Sequence, residues 1–175
     1  MNNQAFIDGQ NLTAGTTLSD TPWRVDLCRL RKYLDRKYSV TKAYYFMGHY
    51  IEEQEKIYDV IQKAGFILIF RPHFPNSPSG KKGNVDTDIV FYMMRNFHED
   101  ESISKFYLIS GDGDYFRTID YLFRKEKLGR VLFPARDKAS SLYHKFNNSY
   151  YDFLDKPSLK SKIELKEQKR GSSLR

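Results

Sequence analysis

Short β-branched and aromatic runs alternate along the chain with amphipathic segments, the pattern of βαβ units around a mostly parallel sheet. Apolar runs at residues 5–8, 40–47, 66–70, 105–110 and 130–133 predict about five strands in an α/β fold. Between them, residues 24–37 set Leu27, Leu30 and Leu34 on one helical face, and residues 51–64 do the same with Ile57, Val60, Ile61 and Ala64. Gly65 is a natural stop for the second of these helices. A third helix is predicted from near Asp86 through IVFYMMRNF. A fourth follows Gly113, with Ile119, Leu122 and Phe123 facing the core, and a fifth covers residues 139–146. The run YYDFLD offers a last short strand before Pro157. Residues 71–84, with three prolines and two glycines, read as a surface loop. There is no internal repeat.

At 175 residues the chain predicts one domain, over residues 1–155, followed by a basic tail over 156–175 that is flexible or a lone helix. Hydrophobic residues at 40% and charged residues at 29% match a folded globule. No apolar stretch approaches the roughly 18 residues of a membrane span, and the N-terminus MNNQAFIDGQ lacks the pattern of a secretory leader. Cys28 is the single cysteine, so an intrachain disulfide and a zinc site built on cysteine pairs are both excluded. Those features predict a reducing, cytoplasmic setting. The net charge of +7 favours a polyanionic partner, and residues 156–175 contribute +5 of it. Aromatic residues reach 15%, and such rings stack on the bases of single-stranded nucleic acid as well as filling cores.

Candidate chemistry comes from carboxylates, because the four histidines are scattered and none pairs at metal-ligand spacing. Asp8 ends the first strand in FIDGQN. Asp112 and Asp114 follow the fourth in LISGDGDYF, and Asp86 and Asp88 open the third helix in GNVDTDI. In an open α/β sheet, loops at the carboxyl ends of strands converge on a functional crevice. Carboxylates gathered there stay ionised only beside a cation, and Mg²⁺ or Mn²⁺ is the natural one. Such a site suits phosphodiester hydrolysis, since a hard ion polarises phosphoryl oxygens and activates water. Gly9, Gly111 and Gly113 would let the backbone turn sharply beside it. Asn11 is placed to orient a carboxylate or a water by hydrogen bonding. Taken singly, Asp86 and Asp112 are equally explained as helix N-caps, and Asp88 and Asp114 as acids that favour helix starts.

Lys81 and Lys82, in the loop before Asp86, are candidates for steering a phosphate backbone. Arg136, Lys138, Ser140 and Ser141 lie around the start of the fifth helix, where amides and hydroxyls favour phosphate. Simple capping by Ser140 explains part of that pattern as well. Tyr115 or Phe116 is a candidate for stacking on a base, with core burial the better account of Phe116.

The segments FIDGQNL, KKGNVDTDIV, LISGDGDYFRTIDYL and VLFPARDKASSLYHKF resemble the NYN domain family, in the LabA-like branch of the PIN-like nucleases, over nearly all of residues 4–155. The resemblance implies a three-layer α/β/α sandwich and metal-dependent ribonuclease activity, with single-stranded or looped RNA as substrate. By position, it assigns acidic ligands to Asp8, Asp86, Asp112 and Asp114, and matches Asn11 to the Asn of the first motif. One departure stands out. A further acid common two turns into the third helix is replaced here by Tyr92, and Asp88 is the substitute available one turn earlier.

Other functions remain open on the residues alone. A non-catalytic RNA-binding module fits the basic tail and Tyr92. A phosphatase would want a DxD pair after the first strand and a dinucleotide-binding dehydrogenase a GxGxxG there; neither is present. The apolar face of YYDFLD and an exposed sheet edge would permit a homodimer.

Overall fold

A computed structural model describes residues 1–72 and 84–166. Its strands are β1 (Asn2–Asp8), β2 (Val40–Met47), β3 (Ile67–Phe70), β4 (Ile103–Ile109), β5 (Leu128–Phe133) and β6 (Tyr151–Phe153). All pair in parallel in one sheet of order β3-β2-β1-β4-β5-β6. The sheet thus has six strands rather than about five, because YYDFLD supplies β6 at the edge beside β5. The α-helices are α1 (Gly9–Thr17), α2 (Leu27–Tyr38), α3 (Glu55–Lys63), α4 (Val85–Glu99), α5 (Phe116–Arg124) and α6 (Pro157–Ile163).

Strand side chains alternate between two cores, as a sheet covered on both faces requires. Ala5 and Ile7 of β1, Ile109 of β4 and Leu132 of β5 join Leu12, Leu30, Leu34, Ile61 and Ile163 on one side. Phe6, Phe106, Leu108 and Val131 join Ile89, Met93, Ile119 and Leu122 on the other. The result is a three-layer α/β/α sandwich, with α1, α2, α3 and α6 on one face and α4 and α5 on the opposite one.

Four local features differ from the sequence pattern. Helix α1 follows Asp8 directly, although two glycines and three threonines give it poor intrinsic propensity. The hydroxyls of Thr13, Thr16 and Thr17 bond back to the carbonyls of Gly9, Leu12 and Thr13 at 2.8–2.9 Å, and Leu12 anchors the helix in the core. In α3 the buried stripe runs through Tyr58, Ile61 and Ala64, while Ile57 and Val60 are more than half exposed. Tyr58 decides that rotation, because its ring packs edge-on against Phe70 at 4.7 Å. The expected fifth α-helix is a 3₁₀ turn over Ser141–Lys145, which buries Tyr143 and leads to a buried Phe146.

The fourth difference concerns the C-terminal segment. Folded structure continues past residue 155 into α6, whose Leu159 and Ile163 enter the core. An isolated antiparallel bridge between Val25 and Glu164, with Asp26 N–H donating to the Ile163 carbonyl at 2.8 Å, ties that segment to the start of α2. The apolar face of YYDFLD is likewise spent within the chain, since Tyr151 and Phe153 pack on Phe133 and Leu154 is fully buried. Gly65 ends α3 at φ +92°, as its position predicts. Among the described residues no helix is long and apolar enough to cross a membrane.

Candidate metal centre

The order of the sheet places its topological switch between β1 and β4. From β1 the chain adds β2 and β3 on one side, then returns to lay β4, β5 and β6 on the other. A crevice opens beyond the carboxyl ends of strands at such a point. Asp8 closes β1 there, and Ser110 directly follows β4.

Asp8 is only 5% exposed and does two jobs. Its Oδ1 accepts from Asn11 N–H at 2.9 Å as the N-cap of α1, and its Oδ2 lies 3.0 Å from the Tyr115 hydroxyl and 3.5 Å from Ser110 Oγ. Burial raises the Asp8 pKa; the Asn11 amide and the Tyr115 hydroxyl counteract this, and nearby Asp86 and Asp112 add to the rise. Asn11 then reaches across the switch point, where its side-chain carbonyl accepts from Gly111 N–H at 2.7 Å. That bond locks the turn after β1 to the turn after β4.

Asp112 caps the 3₁₀ turn Gly113–Tyr115, accepting from Asp114 N–H at 3.0 Å, while its own carbonyl accepts from the Tyr143 hydroxyl at 2.7 Å. Asp86 is not the cap of α4. Asn84 fills that role, accepting from Asp86 N–H at 3.0 Å and leaving the Asp86 carboxylate free to face the crevice. The carboxylates of Asp86, Asp112 and Asp114 offer oxygens all within 4.8 Å of one another. Among the described residues no ion pair engages these three or Asp8. A set of oxygen donors with uncompensated negative charge fits a hard divalent cation, and the soft or nitrogen ligands of zinc and copper sites are absent from it.

Tyr115 is the residue that sequence reasoning assigned differently. It is fully buried rather than available to a base, and its hydroxyl makes a short hydrogen bond to Asp86 as well as contacting Asp8. Burial and the two carboxylate charges hold its phenol far above the ordinary range, so it stays protonated and donates. The signal lay in the spacing, because Tyr115, Ile119 and Leu122 share one inward helical face.

The other expected site residues divide. Asp88 does not join the cluster; it lies two residues beyond Asp86, about half a turn round α4, and its Oδ2 lies 4.0 Å from Arg71 Nη1. Tyr92 packs edge-on against Phe46 at 5.3 Å and carries the Arg95 guanidinium 4.3 Å over its ring, so an aromatic contact occupies the place of the missing acid. Lys138 and Ser140 line a cleft of about 510 Å³ that also includes Asn11, Gly111 and Asp112. Arg136 instead lays its guanidinium 4.4 Å over Phe153, and Ser141 is exposed on the 3₁₀ turn, outside that lining. Lys81 and Lys82 lie outside the described residues. Gly9, Gly111 and Gly113 serve close approach rather than a sharp turn, for none has positive φ. A Cβ on Gly111 would stand 2.7 Å from the Lys138 carbonyl oxygen, which is why the cleft wall rests directly on the post-β4 turn.

The sequence model of the NYN domain matches residues 4–154. The chain belongs to the NYN domain family. NYN domains are generally nucleases that bind RNA, which supports a hydrolase on this PIN-like fold. The fold of this NYN domain is also similar to the crystal structure of a protein of unknown function, VPA0982, from Vibrio parahaemolyticus. The TM-score is 0.76 at 14% identity, covering 94% of this chain and 96% of that one. No curated protein matches this chain.

Proposed function

We propose that the chain is a divalent-metal-dependent endoribonuclease that hydrolyses phosphodiester bonds of single-stranded or looped RNA. The observation that carries this reading is the trio Asp86, Asp112 and Asp114, with oxygens within 4.8 Å and no basic partner among the described residues. These three would hold Mg²⁺ or Mn²⁺, with Asp8 buried behind them. When bound, such an ion supplies Lewis-acid polarisation of a phosphoryl oxygen and acidifies water. The chain's own residues supply the rest. Asn11 holds the two turns of the crevice in register, and a cation held by the trio would favour the ionised form of the buried Asp8. Lys138 and Ser140, which line the same cleft as Asp112, would meet the phosphate backbone, with Lys81 and Lys82 as further candidates.

A second reading, an RNA-binding module without turnover, is favoured by one observation. Tyr92 and the Asp88–Arg71 pairing leave the trio with no additional acid from α4. Labelled single-stranded RNA incubated with Mn²⁺, with Mg²⁺ and with EDTA separates the two. Under the nuclease reading cleavage requires metal, and Asp112→Asn lowers it by about 100-fold or more, the scale seen when a transition-state-stabilising group is lost. RNA that is bound yet intact under every condition establishes the binding module instead.

A further inference from the structure

Asp86 and Asp8 reach the crevice from elements far apart in sequence, the first turn of α4 and the end of β1. The Tyr115 hydroxyl stands between them. Resting on the metal-centre reading above, we propose that Tyr115 is the positioning residue of this centre: its phenol ties the Asp86 carboxylate to the end of β1 and so sets the spacing of the oxygens that a divalent ion meets.

Three observations carry the assignment. The first is that packing alone does not call for a hydroxyl at this position. Tyr115 is 0% exposed among Phe6, Val85 and Ile119, where a phenylalanine would fill the same space, and a buried hydroxyl costs free energy unless it is bonded. Its hydrogen-bond partners are two carboxylates. The second is the dependence of Asp86 on it. Since Asn84 caps α4, the Tyr115 hydroxyl is the hydrogen-bond donor to the Asp86 side chain among the described residues. Asp8, by contrast, keeps the Asn11 amide whether or not the phenol is there. The third is rigidity. Tyr115 ends the 3₁₀ turn that Asp112 caps and that contains Asp114, so one short segment fixes the phenol and two of the three clustered acids together. Removing the hydroxyl therefore frees Asp86 to move with the first turn of α4, while Asp112 and Asp114 stay in place.

The opposite effect is also physically defined. If the hydroxyl merely occupied an Asp86 lone pair that the ion needs, its loss would tighten metal binding. Mn²⁺ binding without RNA, followed by the electron paramagnetic resonance of the free ion, separates these cases in wild type, Tyr115→Phe and Asp112→Asn, with thermal melts verifying that each is folded. The expected result is folded Tyr115→Phe with Mn²⁺ affinity lower by about 10–100-fold, the usual cost of losing a group that orients a ligand. Its RNA cleavage should recover as Mn²⁺ is raised. Folded Tyr115→Phe that binds Mn²⁺ as well as wild type, or better, overturns the assignment and leaves the metal centre standing. Wild type that binds no more Mn²⁺ than Asp112→Asn overturns the metal centre and the assignment together. Wild-type protein labelled at tyrosine Cζ gives a check that needs no variant at position 115. One tyrosine Cζ resonance should move as Mg²⁺ is added and stay still in Asp112→Asn; no movement in wild type rejects the proposal.

Discussion

Asp8 illustrates how one residue carries conflicting demands. As an N-cap it stabilises α1, yet as a 5%-exposed carboxylate near Asp86 and Asp112 it is costly to ionise. Its pKa is raised above 3.8 in the folded chain, chiefly by burial. The native state thus holds the Asp8 proton more tightly than the unfolded state, so this contribution to stability is present at acid pH and is lost as pH rises through the raised value. Asp8→Asn removes the ionisation and keeps an oxygen for the Asn11 amide. In metal-free buffer at neutral pH it should melt a few degrees above wild type, with the gap closing as pH falls until Asp8 is protonated in both states. Melting followed by circular dichroism across pH tests this, and a gap that widens towards acid pH would contradict it. Saturating Mn²⁺ should reverse the order by stabilising wild type, since a ligand that binds only the native state adds about 2.7 kcal/mol at 100 times its Kd.

At the scale of elements, α1 exists because of what it touches rather than what it is made of. Gly9 opens it, and a Cβ there would stand 2.4 Å from the Tyr45 ring and 2.7 Å from the Phe46 carbonyl oxygen. An alanine gains about 1 kcal/mol of helix propensity over glycine. Backbone cannot yield to a side chain as another side chain can, so overpacking should win. Gly9→Ala is expected to lose about 1–3 kcal/mol in urea unfolding, and to loosen the Asp8 cap with it. The same distinction explains α3, where Ile57, Val60, Ile61 and Ala64 have good helical spacing but the helix turns Tyr58 inward to meet Phe70. Periodicity reports that a helix has an apolar stripe. The shape of the neighbouring strand selects which residues fill it.

For the whole molecule, the segment after residue 155 is part of the fold as far as α6. Ile163 is fully buried and Leu159 is 5% exposed, both in the core that holds Leu30 and Leu34. Ile163→Ala should cost about 2–5 kcal/mol in urea unfolding, as for other large-to-small changes in cores. Lys162→Ala, on the exposed side of the same helix, should change stability by no more than about 0.5 kcal/mol. A loss for Ile163→Ala no larger than that for Lys162→Ala would mean that α6 adds no core packing to the fold. The basic composition of the tail hid the docking of this helix, because a net positive segment reads as solvated even when two of its apolar residues, four apart, form an anchor.

Much of this protein is local in origin and legible along the chain. Alternating strand patterns, the helix stop at Gly65 and the position of Asp8, Asp112 and Asp114 at strand ends all follow from side-chain periodicity, turn chemistry and the direction of a parallel sheet. Those features suffice for an α/β fold with acids at one end. Which acids meet is a different matter, set by tertiary contacts, two of them between residues about a hundred positions apart. Pairing of β1 with β4 brings Asn11 to Gly111 and Asp8 to Tyr115. Asn84 takes the cap and releases Asp86, while Asp88 lies towards Arg71 and Phe46 receives Tyr92. Sequence spacing constrains the face on which a side chain emerges, but its partner is chosen by packing across the switch point, where competing hydrogen bonds and rings of similar local merit are separated only by the assembled fold.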